Sequence, residues 1–263
     1  MRRLVYIVLL SAVSIAAKGQ QLPLYSQYLY NKFLINPAVA GSDGYTSVNL
    51  TAREQWVGYE GAPRTFSFSM QTRMLKRSYI LKQTNARRLI YRPKTDGRVG
   101  LGGYVFSDRN GLVHRTGVQV SYAYHLWLRN TTQLSMGLAF TGYHYKIDET
   151  QLDFEDPNEP WLNSDLRVGI FVPDAIFGVY LLNPRYSVGF SADQLFEASA
   201  KIGDHAYKNF KLYRHYYLFG SYNFVLNTKM DIEPSFIVMM SDQLKPQADI
   251  GLTYNYDQGF WAG

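Results

Sequence analysis

The chain has no cysteine among its 263 residues. That excludes a disulfide framework, a cysteine-ligated metal site and a cysteine nucleophile, and leaves stability to strand pairing and burial. After the N-terminus, no segment approaches the roughly twenty apolar residues that a membrane-spanning helix requires. The signatures of catalysis are missing as well. There is no G-x-S-x-G nucleophile elbow, and His114, His125, His144, His205 and His215 show no H-E-x-x-H or related metal spacing. His125 and His144 stand beside aromatics near strand ends, where a wall or interfacial role is expected over catalysis. Gly100-Leu101-Gly102-Gly103 falls inside a strand pattern and opens no helix, so it is not a phosphate-binding loop. The reading is of a non-enzymatic protein with no catalytic residue, no cofactor and no metal.

What is present in quantity is aromatic: 16% of residues, with 22 Tyr and 15 Phe, in a chain of mean hydropathy −0.22. Such a chain suits a transmembrane outer-membrane antiparallel β-barrel, all-β, with aromatic girdles and a polar interior. A secreted soluble β-protein is not excluded by composition. Periodicity favours the barrel. In Val118-Gln119-Val120-Ser121-Tyr122-Ala123-Tyr124 the large apolar residues keep one parity and the small or polar ones the other. Leu134, Met136, Leu138 and Phe140 repeat the pattern against Gln133, Ser135, Gly137 and Ala139. The N-terminus reads as a signal peptide over residues 1–19, with basic Arg2 and Arg3, an apolar run from Leu4 to Ala17, and a small-x-small site at Ala17-Lys18-Gly19. Its removal takes the formal charge from +6 to +3, so the basic balance is no argument for nucleic acid. Residues 20–44 then form a segment that is either periplasmic or folded into the lumen as a plug, and 45–263 form the barrel domain.

Strands are expected at 45–53, 63–72, 98–107, 115–127, 131–146, 173–182, 185–193, 212–226, 229–241 and 246–256, with an eleventh beginning near Phe260. Tight turns at 128–130, 183–184, 227–228 and 257–258 alternate with longer connections at 54–62, 108–114, 147–172, 194–211 and 241–245. Short periplasmic turns and long external loops are the usual polarity of bacterial barrels. One connection breaks that rule. The segment 73–97 is long and basic, with Arg73, Lys76, Arg77, Arg87, Arg88 and Arg92. It is either a solvated loop or a docking surface for an acidic partner or lipid phosphate. The stretch 148–165 is acidic; its oxygens suit calcium in kind, but not in the ordered spacing of an EF-hand, so a solvated loop is expected.

The inward parity is small: Thr65, Ser67, Ser69, Ser121, Ala123, Ser135, Gly137, Ala139, Ser187, Gly189 and Ser191. That leaves room for a channel, a plug or an inserted peptide, or serves only to let the strands coil. Asn36-Pro37 disfavours helix before the first strand, and Phe33-Leu34-Ile35 calls for burial in protein. Trp56, with Gly58, Gly61 and Pro63, makes a rigid loop beside the first hairpin, as a structural anchor or as a partner contact.

Tyr25-Ser26-Gln27-Tyr28, Asn36-Pro37-Ala38-Val39-Ala40-Gly41-Ser42 and the run from Gln55-Trp56-Val57-Gly58 to Pro63-Arg64-Thr65 resemble the PorP/SprF family. These are outer-membrane proteins of the Bacteroidetes type IX secretion system. The likeness continues through Arg115-Thr116-Gly117, Ser187-Val188-Gly189-Phe190-Ser191 and His215-Tyr216-Tyr217-Leu218 to Gln247-Ala248-Asp249-Ile250-Gly251. The resemblance implies a barrel of about fourteen strands that exports or displays cargo with C-terminal sorting domains, notably adhesins of gliding motility. The partners it implies are that cargo, periplasmic ring or motor components, and outer-membrane lipid, with no nucleic acid and no catalytic residues. The family pattern runs on past Gly263, so at ten to eleven strands this chain is expected to be truncated at its C-terminus. A passive diffusion porin is the alternative function, and an outer-membrane hydrolase a distant third.

Overall fold

From Arg64 to Met74 the side chains take alternate sides of the backbone, and the sides are inside out. Thr65, Ser67, Ser69, Gln71 and Arg73 are buried, while Phe66, Phe68 and Met70 are exposed. A sheet half in water does the reverse, since apolar groups leave water and polar ones stay in it. Exposed apolar residues over a polar interior suit a wall whose outer solvent is hydrocarbon. The same parity carries Val118, Val120 and Tyr122 outward against buried Gln119, Ser121 and Ala123, and Met136, Leu138 and Phe140 outward against Ser135, Gly137 and Ala139.

The computed structural model describes residues 31–74, 98–129, 131–148, 169–197, 199–200, 210–242, 246–257 and 260–263. The signal peptide expected over residues 1–19, the basic residues 75–97 and nearly all of the acidic 148–165 stretch therefore lie outside the described residues. Two short 3-10 turns, Lys32–Leu34 and Pro37–Val39, precede the sheet. The strands are β1 (Ser47–Glu54), β2 (Arg64–Met74), β3 (Val99–Asn110), β4 (Val113–Arg129), β5 (Thr132–Ile147), β6 (Ile170–Leu182), β7 (Tyr186–Asp193), β8 (Ser199–Ala200), β9 (Phe210–Lys211), β10 (His215–Tyr222), β11 (Phe224–Val225), β12 (Met230–Ser241), β13 (Gln247–Tyr256) and β14 (Phe260–Ala262). Successive strands pair antiparallel in one meander, β1 through β7, then β10, β12, β13 and β14. Strand β11 pairs β12, and β8 with β9 forms a separate two-stranded excursion. Among the described residues, strands β1 and β14 have one strand neighbour each, and the sheet is not closed between them. Among the described residues no helix is long and apolar enough to cross a membrane.

Two expectations need correction. The connection 108–114 is not a long loop: β3 and β4 pair to their tips, Asn110 opposite Val113, and only Gly111 and Leu112 turn the chain. Gly111 has φ +58°, the conformation that a two-residue hairpin needs at its first central position and that glycine adopts without cost. The strand expected over 212–226 starts later, at His215, and is interrupted. Pairing to β12 runs from His215–Ser241 to Ser221–Ser235 and resumes at Phe224–Ile232 in the same register. The gap faces Pro234, which has no N–H to contribute to the ladder. Pro173, also within a strand, falls where β6 has run past its pairing with β7.

The sheet curls. Six adjacent strands, β2 to β7, span about 24 Å when flat, at roughly 4.8 Å per strand. Yet residues of all six meet the single segment 33–42, as described below. Strands β4 and β5, at 17 and 16 residues, exceed the roughly 9–11 that a tilted strand needs to cross hydrocarbon. The surplus stands beyond the apolar band.

Phe68 sits mid-strand between Leu50 of β1 and Val105 of β3, on the outward face. Phe68→Arg is expected to cost about 2–4 kcal/mol of unfolding free energy in lipid vesicles, as charges near the midplane of barrel walls do. The neighbouring Ser67→Thr, facing inward, is expected to cost well under half of that. Urea titrations of the two variants in bilayers check the assignment of faces.

Candidate functional site

The interior is not empty. Asn36-Pro37-Ala38-Val39-Ala40-Gly41-Ser42 lies against the inward face, and every one of these residues is buried, as is Phe33 before them. The asparagine–proline pair accounts for the local shape. Proline forbids a helix through Asn36, which is extended at φ −139° and ψ 114° and caps the following 3-10 turn by accepting from Ala38 N–H at 2.9 Å. Its amide group donates to the carbonyls of Val179 on β6, at 2.9 Å, and Phe190 on β7, at 3.1 Å. One side chain thus spends its acceptor on its own turn and its donors on two wall strands.

The wall is recessed where the turn meets it. A Cβ at Gly178 would run into Asn36 Oδ1, one at Gly137 into the Pro37–Ala38 peptide, one at Gly100 into Ala40 O, and one at Gly102 into the Phe33 ring. These four positions on β3, β5 and β6 are glycine because another part of the chain occupies the side chain's place. Serines complete the lining: Ser191 donates to Ile35 O at 2.7 Å, and Asn31 and Lys32 donate to Ser69 and Ser187.

His125 on β4 fastens the far side. Its Nε2 lies 3.0 Å from Ala40 O, which can only accept, so Nε2 carries the proton and donates. Nδ1 therefore receives, from Ser135 Oγ at 2.7 Å and from Gln133 Nε2 at 3.2 Å. Gln133 Oε1 in turn accepts from Arg73 Nη2 at 3.0 Å, and Gln71 Oε1 accepts from Gly41 N–H at 3.2 Å. A chain of side chains thus joins β2, β5 and β4 to the backbone of the turn. Among the described residues, Arg73 Nε and Nη1 are buried without a hydrogen-bond partner.

A second layer lies toward the β1–β2 and β3–β4 connections. The Arg115 guanidinium stands 5.0 Å over the Phe106 ring and 3.9 Å from Asp108, whose other oxygen accepts from Thr65 at 2.6 Å. Tyr104, Phe106, Tyr143 and Tyr145 continue ring to ring at 5.4 to 6.3 Å. His215 Nδ1 donates to Tyr213 O at 2.8 Å and lies 3.0 Å from Gln194 Oε1, and its ring stacks beside Tyr217. No cluster of three or more metal-ligating side chains occurs among the described residues.

The residues singled out from sequence fall in different places. Trp56 is 73% exposed, on a loop braced by Gln55 N–H to Pro63 O, Tyr59 N–H to Trp56 O and Gly111 N–H to Gly61 O. Its backbone sits at φ +51°, a region that a bulky side chain rarely occupies. Arg73 belongs to β2, turns inward and is only 4% exposed. Lys76, Arg77, Arg87, Arg88 and Arg92 lie outside the described residues. From sequence, Gln133 falls on the polar parity of its strand, Arg115 is named only within the resemblance, and Gln71 is not mentioned; all three stand on the inward parity of an alternating strand, which is the signal that finds them.

The model of the type IX secretion system membrane protein PorP/SprF family matches residues 17–263. The chain belongs to the PorP/SprF family. This protein is therefore a membrane component of the type IX secretion system, and its wall is of the outer-membrane β-barrel type. No curated protein matches the chain.

Asn36→Ala removes all three hydrogen bonds of that side chain, and His125→Leu leaves Ala40 O and the Ser135–Gln133 pair without their partner. Each is expected to destabilise by about 1–3 kcal/mol, the range for buried polar groups left unpaired. The double variant is expected to cost less than the sum, since both release one segment. Denaturant unfolding of the four proteins checks this.

Proposed function

We propose that this protein is a non-enzymatic outer-membrane component of type IX secretion that binds cargo bearing C-terminal sorting domains and helps to export or display it, gliding adhesins included. Membership of the PorP/SprF family supports the system. The filled interior supports the mode of action. A diffusion porin needs a continuous water path, whereas here buried Phe33, Asn36 and Ala38 to Ser42 stand in the space enclosed by β2 to β7. A wall whose recesses match its own N-terminal segment suits a regulated component better than a passive hole.

The contacts assigned to cargo or translocon partners are Trp56, presented on its braced loop with Val57 and Tyr59 exposed beside it, and the basic side chains Lys76, Arg77, Arg87, Arg88 and Arg92. Rigid aromatics lose little entropy on binding and commonly anchor protein interfaces. Periplasmic ring or motor components are the further partners of this reading.

The test is a secretome comparison by mass spectrometry between the host and a clean deletion strain. The expected outcome is loss of one or a few proteins with C-terminal sorting domains, other export being intact. An unchanged secretome, together with steady ion conductance of the purified protein in planar bilayers, would establish the porin instead. Trp56→Ala is expected to cut cargo export while leaving the amount of this protein in the outer membrane unchanged, read by quantitative proteomics of both fractions.

A further inference from the structure

The interior segment is held without joining the sheet. Its backbone is fastened by wall side chains: Ile35 O accepts from Ser191, Ala40 O accepts from His125, and Gly41 N–H donates to Gln71. The ladders of β2 to β7 run past it unbroken, Arg73 opposite Gly100, Gly137 opposite Gly178, and Gly178 opposite Ser191. Taking the segment away would therefore break no strand pairing. The wall is formed by itself, and its glycine recesses remain when the occupant leaves. That is the relation of a receptor to a ligand which happens to be part of the same chain.

The fit is also incomplete in one place. Arg73 is buried beside the segment, near the Asp43 carboxylate that follows it, and donates to Gln133, while its Nε and Nη1 protons have no hydrogen-bond acceptor among the described residues. Unpaired buried donors of a charged group are costly. The site thus offers hydrogen bonds that its present occupant does not use, and a competing occupant with carbonyl or carboxylate groups can gain them.

We propose that the inward face of β2 to β7 is a peptide-binding site, and that residues 31–42 are its resident ligand. The ligand class is a short peptide with a carboxamide side chain before proline, followed by small residues. Asn36 supplies the recognition element through Val179 O and Phe190 O, the backbone at Pro37–Ala38 and Ala40 fits because the wall carries no Cβ at positions 137 and 100, and a side chain at Gly41 would run into Thr72 O. A peptide of this chemistry supplied from outside the chain exchanges with the resident segment. The inference stands on the geometry of the site and holds whether or not the protein conveys cargo.

The absence of cysteine makes a clean test. Ser42 is 2% exposed, so in the full-length protein in detergent micelles a thiol introduced by Ser42→Cys is expected to react with a maleimide slowly, in proportion to the fraction of molecules with the segment released. A synthetic peptide of residues 31–42 in excess is expected to raise that rate at least about tenfold by holding the site open. The same peptide with Asn36→Ala is expected to have no effect. Adding Gly178→Ala to the protein should make the reporter thiol react fast by itself and remove the response to peptide. An Ala38→Cys reporter, at a fully buried position, repeats the measurement should the change at Ser42 disturb the segment. Heat-shifted mobility on gels certifies each variant as folded. Three results would overturn the proposal: a Ser42→Cys thiol that reacts as fast as one placed by Asp257→Cys at an exposed turn, no response to the peptide, or an equal response to the Asn36→Ala peptide.

Discussion

Hydrocarbon offers no partner to a backbone N–H or C=O, and everything else in this protein follows from that constraint. It forces the chain into continuous ladders, and it gives the outward parity of each strand to Phe66, Phe68, Val118, Val120, Leu138 and Phe140. The inward parity is left to residues that hydrocarbon would reject. Serine, threonine, glutamine and glycine accumulate there because they hydrogen-bond, or yield room, on a face shielded from lipid. An interior built this way is polar but also hollow, and a hollow polar interior fills either with water or with protein. Here, between β2 and β7, it fills with protein.

The economy of that filling rests on Asn36 and the recesses around it. A carboxamide can donate to two strands and accept from its own turn at once. Proline next to it holds Asn36 extended, and the 3-10 turn starts at the proline itself. Opposite, His125 in its Nε2-protonated form links Ala40 O to Ser135 and Gln133, and through Gln133 to Arg73. Strands that are distant in sequence are thereby tied through one short segment. The layer beyond it is different in kind. Rings of Tyr104, Phe106, Tyr143 and Tyr145 are packed around the Arg115–Asp108 pair, a mixture that tolerates partial hydration.

For a secretion component these two layers suggest a division of labour. The segment at 33–42 closes the space enclosed by β2 to β7, while the aromatic layer and the exposed Trp56 loop lie toward the β1–β2 and β3–β4 connections. Any path between β2 and β7 has to accommodate or move the interior segment. Because it takes no part in strand pairing, its hydrogen bonds to the wall are side-chain bonds and none belongs to a ladder.

Much of the wall was legible in the residues. A period of two is a direct record of which side of a strand faces which solvent, so β2, β4, β5, β7 and β12 begin and end within a few residues of where alternation places them. The discrepancies have local causes. Residues 108–114 read as a longer connection because how far β3 and β4 run depends on cross-strand pairing, here carried up to Asn110–Val113. The break between β10 and β11 comes from Pro234, which lies on the neighbouring strand and is invisible in the sequence of the strand it interrupts. The small inward parity left room for an occupant or for the coiling of the strands, and Asn36-Pro37 disfavoured helix. By itself the sequence determined faces, strand order and solvent, because those are properties of alternation and adjacency. That Asn36 meets β6 and β7, that Ala40 meets His125, and that glycines 100, 137 and 178 form one recess was decided only by the curling of the sheet, which brings together residues up to 156 positions apart.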